Sequence, residues 1–95
     1  MEIQEVRDKL MAYGALKNPY RWKAFIEIEK NPGIYFSDLA RKINIERGLL
    51  AYHIGVLHAT ELIERTLERE SKRISKYKIT EKGKQILREL SSKSI

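Results

Sequence analysis

The chain has 95 residues, 42% hydrophobic and 34% charged, and its 19 Lys and Arg outnumber 13 Asp and Glu for a net charge of +6. That length supports one domain with one core, and no apolar run approaches the roughly 20 residues a membrane span requires. The acid-punctuated opening MEIQEVRDKL does not read as a secretory leader, and with no cysteine the chain excludes disulfides, thiolate-bound metals, iron–sulfur clusters and a cysteine nucleophile, so a cytoplasmic protein is expected.

Ile3, Val6, Leu10 and Tyr13 recur at helical spacing and predict a short amphipathic helix with Gly14 as its stop. Asn18-Pro19 is a helix start, because Asn can cap and Pro lacks only an amide hydrogen that would be orphaned anyway. The helix that follows carries Trp22, Phe25, Ile26 and Ile28 and ends at Asn31-Pro32-Gly33. Ile34-Tyr35-Phe36 is a short β-prone run, after which Ser37 reads as the cap of a two-turn helix with Leu39, Ala40 and Ile43 on its apolar side. Asn44-Ile45 is the connection to a further helix, from Glu46, that buries Leu50, Ile54 and Leu57, with Leu49 beside that stripe.

After Thr60 the period shortens to two: Ile63, Arg65, Leu67 and Arg69 alternate with Glu64, Thr66, Glu68 and Glu70, as in a strand. Glu70–Arg73 would turn a hairpin, and Tyr77 and Ile79 would line one face of the return strand. Thr80 opens a last helix with Ile86, Leu87 and Leu90 apolar, which Gly83 should weaken by up to about 1 kcal/mol relative to Ala. A lone two-stranded ribbon is not stable, so the hairpin must lean on the helices or pair with Ile34–Phe36.

This order describes a mainly α protein with a small β-hairpin (α+β), a winged helix-turn-helix. We expect a single domain over 1–95: an N-terminal dimerisation helix at 1–16, the winged-helix core at 18–80 and a C-terminal helix at 81–95. From Ser71 to Lys84 six bases face one acid, so nearly all the excess charge sits in one sixth of the chain, the hairpin turn, its return strand and the start of the last helix. Such a segment favours an anionic partner; the plainer reading is a solvated basic turn.

Three stretches carry a resemblance: NPYRW (Asn18–Trp22), SDLARKINIERGLLAYHIGVLHATELIER (Ser37–Arg65) and YKITEKGKQIL (Tyr77–Leu87). Together they resemble the arsenic-repressor-like (ArsR-type) winged-helix regulators and similar archaeal helix-turn-helix proteins. The matching elements are Asn18-Pro19-Tyr20-Arg21, Leu39-Ala40, His53-Ile54-Gly55-Val56-Leu57 and Glu61-Leu62-Ile63. The usual Gly before the wing is Glu61 here, which implies a different backbone geometry at that turn, and the cysteine-containing metal sites of sensing members cannot form. The resemblance implies a DNA-binding transcription regulator, dimeric through its terminal helices.

In a helix-turn-helix the second helix enters the major groove with its N-terminal residues at the base edges. With Leu50, Ile54 and Leu57 buried, the opposite face carries Arg47, Gly48, Ala51, Tyr52 and Gly55. Arg47 is the candidate for a bidentate contact to guanine, Tyr52 can donate a hydrogen bond and cover a thymine methyl, and the small residues permit close approach. The bland alternatives are a solvated base for Arg47 and a support under the wing for Tyr52. Glu46 reads as structural at a helix start, and His53 as a packing residue. Lys72 and Arg73 at the tip, with Lys76 and Lys78 on the return strand, are candidates for phosphate or minor-groove contact.

Ile3, Val6, Leu10, Ile86 and Leu90 are the candidate dimer interface, which would present two half-sites about 10 base pairs apart in a partly palindromic operator of double-stranded DNA. No enzyme, cofactor or metal is expected. His53 and His58 lack the i, i+4 spacing of a zinc pair, and there is no Gly-rich phosphate loop or nucleophile elbow. The competing reading is a protein-interaction module in a transcription or replication assembly; RNA binding ranks below it.

Overall fold

The computed structural model describes residues 2–68 and 75–92. In chain order the elements are α1 (Ile3–Ala15), α2 (Pro19–Lys30), β1 (Ile34–Tyr35), α3 (Phe36–Ile43), α4 (Arg47–Ala59), β2 (Ile63–Leu67), β3 (Ser75–Ile79) and α5 (Glu81–Ser92). The α+β winged helix-turn-helix expected from the sequence is the observed architecture.

Local chemistry sets most boundaries. Asn18 caps α2, its Oδ1 accepting from the backbone N–H of Tyr20 (2.9 Å) and Arg21 (3.1 Å), with Pro19 in the first helical position. The helix ends at Lys30, and Gly33 at φ +84° makes the left-handed turn that only glycine adopts without cost. Its N–H donates to the Tyr77 carbonyl at 2.8 Å, which brings the turn onto β3. Thr80 caps α5, accepting from the Gly83 N–H at 2.9 Å while its own hydroxyl donates to the Glu61 carbonyl.

The sheet order is β1-β3-β2, antiparallel throughout, with Ile34 opposite Tyr77 and Ile63 opposite Ile79. The hairpin therefore does both things its instability demanded: it pairs with the short strand and leans on helices. Tyr77 and Ile79 are buried as expected, but on β2 only Ile63 is, with Leu67 44% exposed. β2 is the expected strand, but its burial does not alternate. Beyond its first residue the strand has no core to face.

Four positions differ from the sequence reading. Ser37 is not a cap: pairing of Tyr35 with Lys76 holds the backbone extended up to Tyr35, and α3 starts at Phe36 with no side-chain cap bond. Gly14 does not stop α1, which runs to Ala15 and closes at Leu16, whose N–H returns to Ala12 and Tyr13 carbonyls. Glu61 takes φ 62°, the left-handed conformation a glycine would take, so the turn keeps that geometry without the glycine. Gly83 is also not a mere weak point. A Cβ there would lie 2.4 Å from the Leu62 carbonyl oxygen, so the missing side chain lets α5 close on the start of the wing.

Phe25 and Ile28 of α2, Leu39 of α3, Leu50 and Leu57 of α4 and Ile86 of α5 are fully buried and form one core over the sheet. α1 buries Ala12 and Ala15 and packs Tyr13 partly against the core, leaving Ile3 (81%), Val6 (40%) and Leu10 (65%) exposed. No helix among the described residues is long and apolar enough to cross a membrane.

Candidate nucleic-acid interface

The tight turn between α3 and α4 is built by Asn44 in the left-handed region at φ 51°, where Asn is tolerated better than most residues. Glu46 then caps α4: its carboxylate accepts from the N–H of Leu49 (2.8 Å) and of Gly48 (3.0 Å). Those two bonds, Leu49's first, hold its carboxyl below the usual Glu range, so the charge stays on the helix terminus. Gly48 serves this cap as well, since a Cβ there would sit 3.1 Å from a Glu46 carboxylate oxygen.

α4 has the two-sided character expected of it. Leu50, Ile54 and Leu57 face the core, whereas Arg47, Gly48, Ala51, Tyr52 and Gly55 are all exposed, Tyr52 at 61%. Leu49, whose position the pattern left open, is exposed too. The Arg47 guanidinium lies 5.1 Å from the centre of the Phe36 ring, so the start of α3 positions it.

His53 is a packing residue, 3% exposed, yet its Nδ1 has no hydrogen-bond partner among the described residues. Tyr20 stacks against its ring at 6.2 Å, and Tyr52 meets it at 5.3 Å. Burial, and then the charge of Arg21, hold its imidazole below the usual pKa and keep it neutral at pH 7. Sequence reasoning gave Arg21 no role in the site beyond a place in the resemblance. Its guanidinium carbon is 6.0 Å from the Tyr52 ring centre, a proximity set by helix packing that no local pattern encodes.

The wing is less purely cationic than its sequence. Lys78 pairs across the strands with Glu64 at 3.2 Å, and Lys76 with Glu68 at 3.7 Å, while the Tyr35 hydroxyl donates to Glu68 at 2.7 Å. The expected contacts at Lys72 and Arg73, like the hairpin turn itself, lie outside the described residues.

At the opposite end, Glu89 of α5 ties α1 in place, accepting from Lys9 Nζ and from the Tyr13 hydroxyl, each at 3.0 Å. Ile86 is 2% exposed and belongs to the chain's own core, so it does not join Ile3, Val6 and Leu10 as a surface residue: α5 packs its apolar side inward. Leu90 is half-buried and packs against the same core.

The profile of HxlR-like helix-turn-helix proteins matches residues 19–92, from the first residue of α2 to the last of α5. The chain belongs to the HxlR-like helix-turn-helix family. The match supports the helix-turn-helix part of the sequence reading and does not support its arsenic-repressor-like assignment specifically. No curated protein matches the chain. Among solved structures, this HxlR-like chain is similar to NolR from Sinorhizobium fredii, at 21% identity and a TM-score of 0.78 over 96% of this chain and 88% of that one. It is also similar to MarR, at 20% identity and a TM-score of 0.74 over 88% of this chain, and spans 64% of that protein's length. A third is the transcriptional repressor CouR bound to a 23-mer DNA duplex, at 18% identity and a TM-score of 0.74 over 94% of this chain and 66% of that one. At these identities the likeness is one of fold.

Proposed function

We propose that this HxlR-like chain is a DNA-binding transcriptional regulator acting as a homodimer on a partly palindromic operator. The observation that carries the reading is the outward face of α4, where Arg47 and Tyr52 stand exposed opposite buried Leu50, Ile54 and Leu57. In this reading α4 lies in the major groove and Arg47 reads a guanine edge, with Tyr52 against a base or phosphate. Gly48, Ala51 and Gly55 let the helix backbone approach closely.

The wing supplies phosphate contacts through Lys72, Arg73, Lys76 and Lys78. The last two exchange Glu68 and Glu64 for phosphates. The Lys78–Glu64 pair is exposed and the Lys76–Glu68 pair half-buried; surface pairs are worth only about 0–1 kcal/mol, so the exchange costs little. Dimerisation through the stripe of Ile3, Val6 and Leu10 with Leu90 would cover apolar surface that α1 leaves in water and space two α4 helices for two half-sites.

Selection from random duplex DNA followed by salt titration tests this. A two-fold motif should be enriched. Arg47→Ala should reduce discrimination between operator and random DNA, while Lys72→Ala with Arg73→Ala should weaken both and lower the salt slope by about 0.9 for each lost phosphate contact. No enriched motif, together with unchanged affinity in all these variants, would overturn the reading in favour of a protein-interaction role.

A further inference from the structure

α4 has a cationic neighbour that its own sequence does not supply. Arg21 sits in the first turn of α2, its backbone fixed by the Asn18 cap, and holds its guanidinium 6.0 Å from the centre of the Tyr52 ring. Tyr20 stacks on His53 with planes 21° apart, and Tyr52 meets the same imidazole at 59°. Three rings and one guanidinium thus join the first turn of α2 to the middle of α4.

Among the described residues the guanidinium has no counter-charge. Among the described residues Arg21 enters no ion pair, and its Nε is buried with no acceptor. His53 beside it is 3% exposed, equally unpartnered at Nδ1, and neutral, so Arg21 is the one charge of the cluster. An arginine that only braces a fold ordinarily ends on carboxylates or carbonyls. This one ends beside an exposed tyrosine of the groove-facing helix.

We propose that Arg21 is a DNA-phosphate contact, its planar fork taking the oxygens of a backbone phosphate that flanks the groove occupied by α4. The inference rests on the DNA-binding reading above. A phosphate fits the fork in bidentate fashion, and the Tyr52 ring beside it supports the cation. Such a contact sets the position of α4 without reading sequence. Its loss therefore weakens operator and random duplex alike, whereas loss of Arg47 alters discrimination.

The test is salt titration of the unaltered chain, Arg21→Ala and Arg21→Lys on the selected operator and a random duplex. A parallel scan replaces single operator phosphates by neutral methylphosphonates. Arg21→Ala should weaken both duplexes about tenfold and lower the salt slope by about 0.9 for each Arg21 engaged. Arg21→Lys keeps the slope but recovers only part of the affinity, because the fork is lost. One neutralised phosphate should harm the unaltered chain and leave Arg21→Ala unaffected. If Arg21→Ala fails to fold, the same comparison of the unaltered chain with Arg21→Lys decides, the charge-only variant losing less at that phosphate.

An unchanged slope in folded Arg21→Ala, or no phosphate whose neutralisation depends on residue 21, overturns the contact alone. Absence of duplex binding by the unaltered chain overturns the regulator reading and the contact with it.

Discussion

Gly83 and Glu61 lie on either side of the same joint, and each defies the side-chain rule for its position. Gly83 occupies a helix where Ala has the higher propensity by about 1 kcal/mol, yet the Leu62 carbonyl fills the space a Cβ would need. Gly83→Ala should therefore destabilise the protein by about 1–3 kcal/mol, the cost of overpacking, measured as a lower urea midpoint. Glu61 is the reverse case, a Cβ-bearing residue at φ 62°. A left-handed conformation costs such a residue about 1–2 kcal/mol, part of which glycine returns through its freer unfolded chain. Glu61→Gly should raise stability by about 0.5–1 kcal/mol, the exposed Lys82 pair at 3.8 Å offsetting little of it. A fall in the urea midpoint would show the side chain outweighing the backbone. The sequence displayed both residues but not their reasons, since neither the Leu62 carbonyl nor the torsion at Glu61 is a property of neighbours in the chain.

The α2–α4 packing sets a pH dependence. The native imidazole of His53 lies below its usual pKa of 6.5, first from burial and then from Arg21, so the unfolded chain takes up a proton before the folded one does. Stability from this group is complete above pH 6.5, declines as pH falls toward the lowered native value, and levels off beneath it. His53→Phe should remove that slope in denaturant titrations between pH 6.5 and the carboxylate range, and an identical slope in the variant would disprove the assignment. Elements themselves were well specified: the Asn18-Pro19 start, the Leu50, Ile54 and Leu57 stripe and the Tyr77 and Ile79 face all recur in the structure. Ser37 misled because its cap chemistry competes with strand pairing. The partner of β1 lies some forty residues away, where a local reading cannot weigh it.

For the whole molecule, the apolar stripe of α1 is the surface left uncovered. A soluble monomer gains nothing from Ile3 and Leu10 at 81% and 65% exposure. If the proposed homodimer forms through this stripe, Leu10→Lys should shift the protein to monomer in sedimentation and reduce operator affinity by about tenfold or more, through loss of the second half-site. Its unfolding midpoint at low concentration should not move, because Leu10 contributes no core packing. A variant that stays dimeric would place the interface elsewhere.

By itself the sequence determined the winged helix-turn-helix, the outward face of α4 with Arg47 and Tyr52, and the absence of cysteine chemistry, because these follow from periodicity, capping and composition, all short-range properties. Only the tertiary structure decided that Ile86 turns inward, that Lys76 and Lys78 already hold carboxylates, and that Arg21 stands beside Tyr52 with no counter-ion among the described residues. Each of these depends on which elements meet, and burial and charge pairing are settled by neighbours in space that the order of residues leaves unnamed.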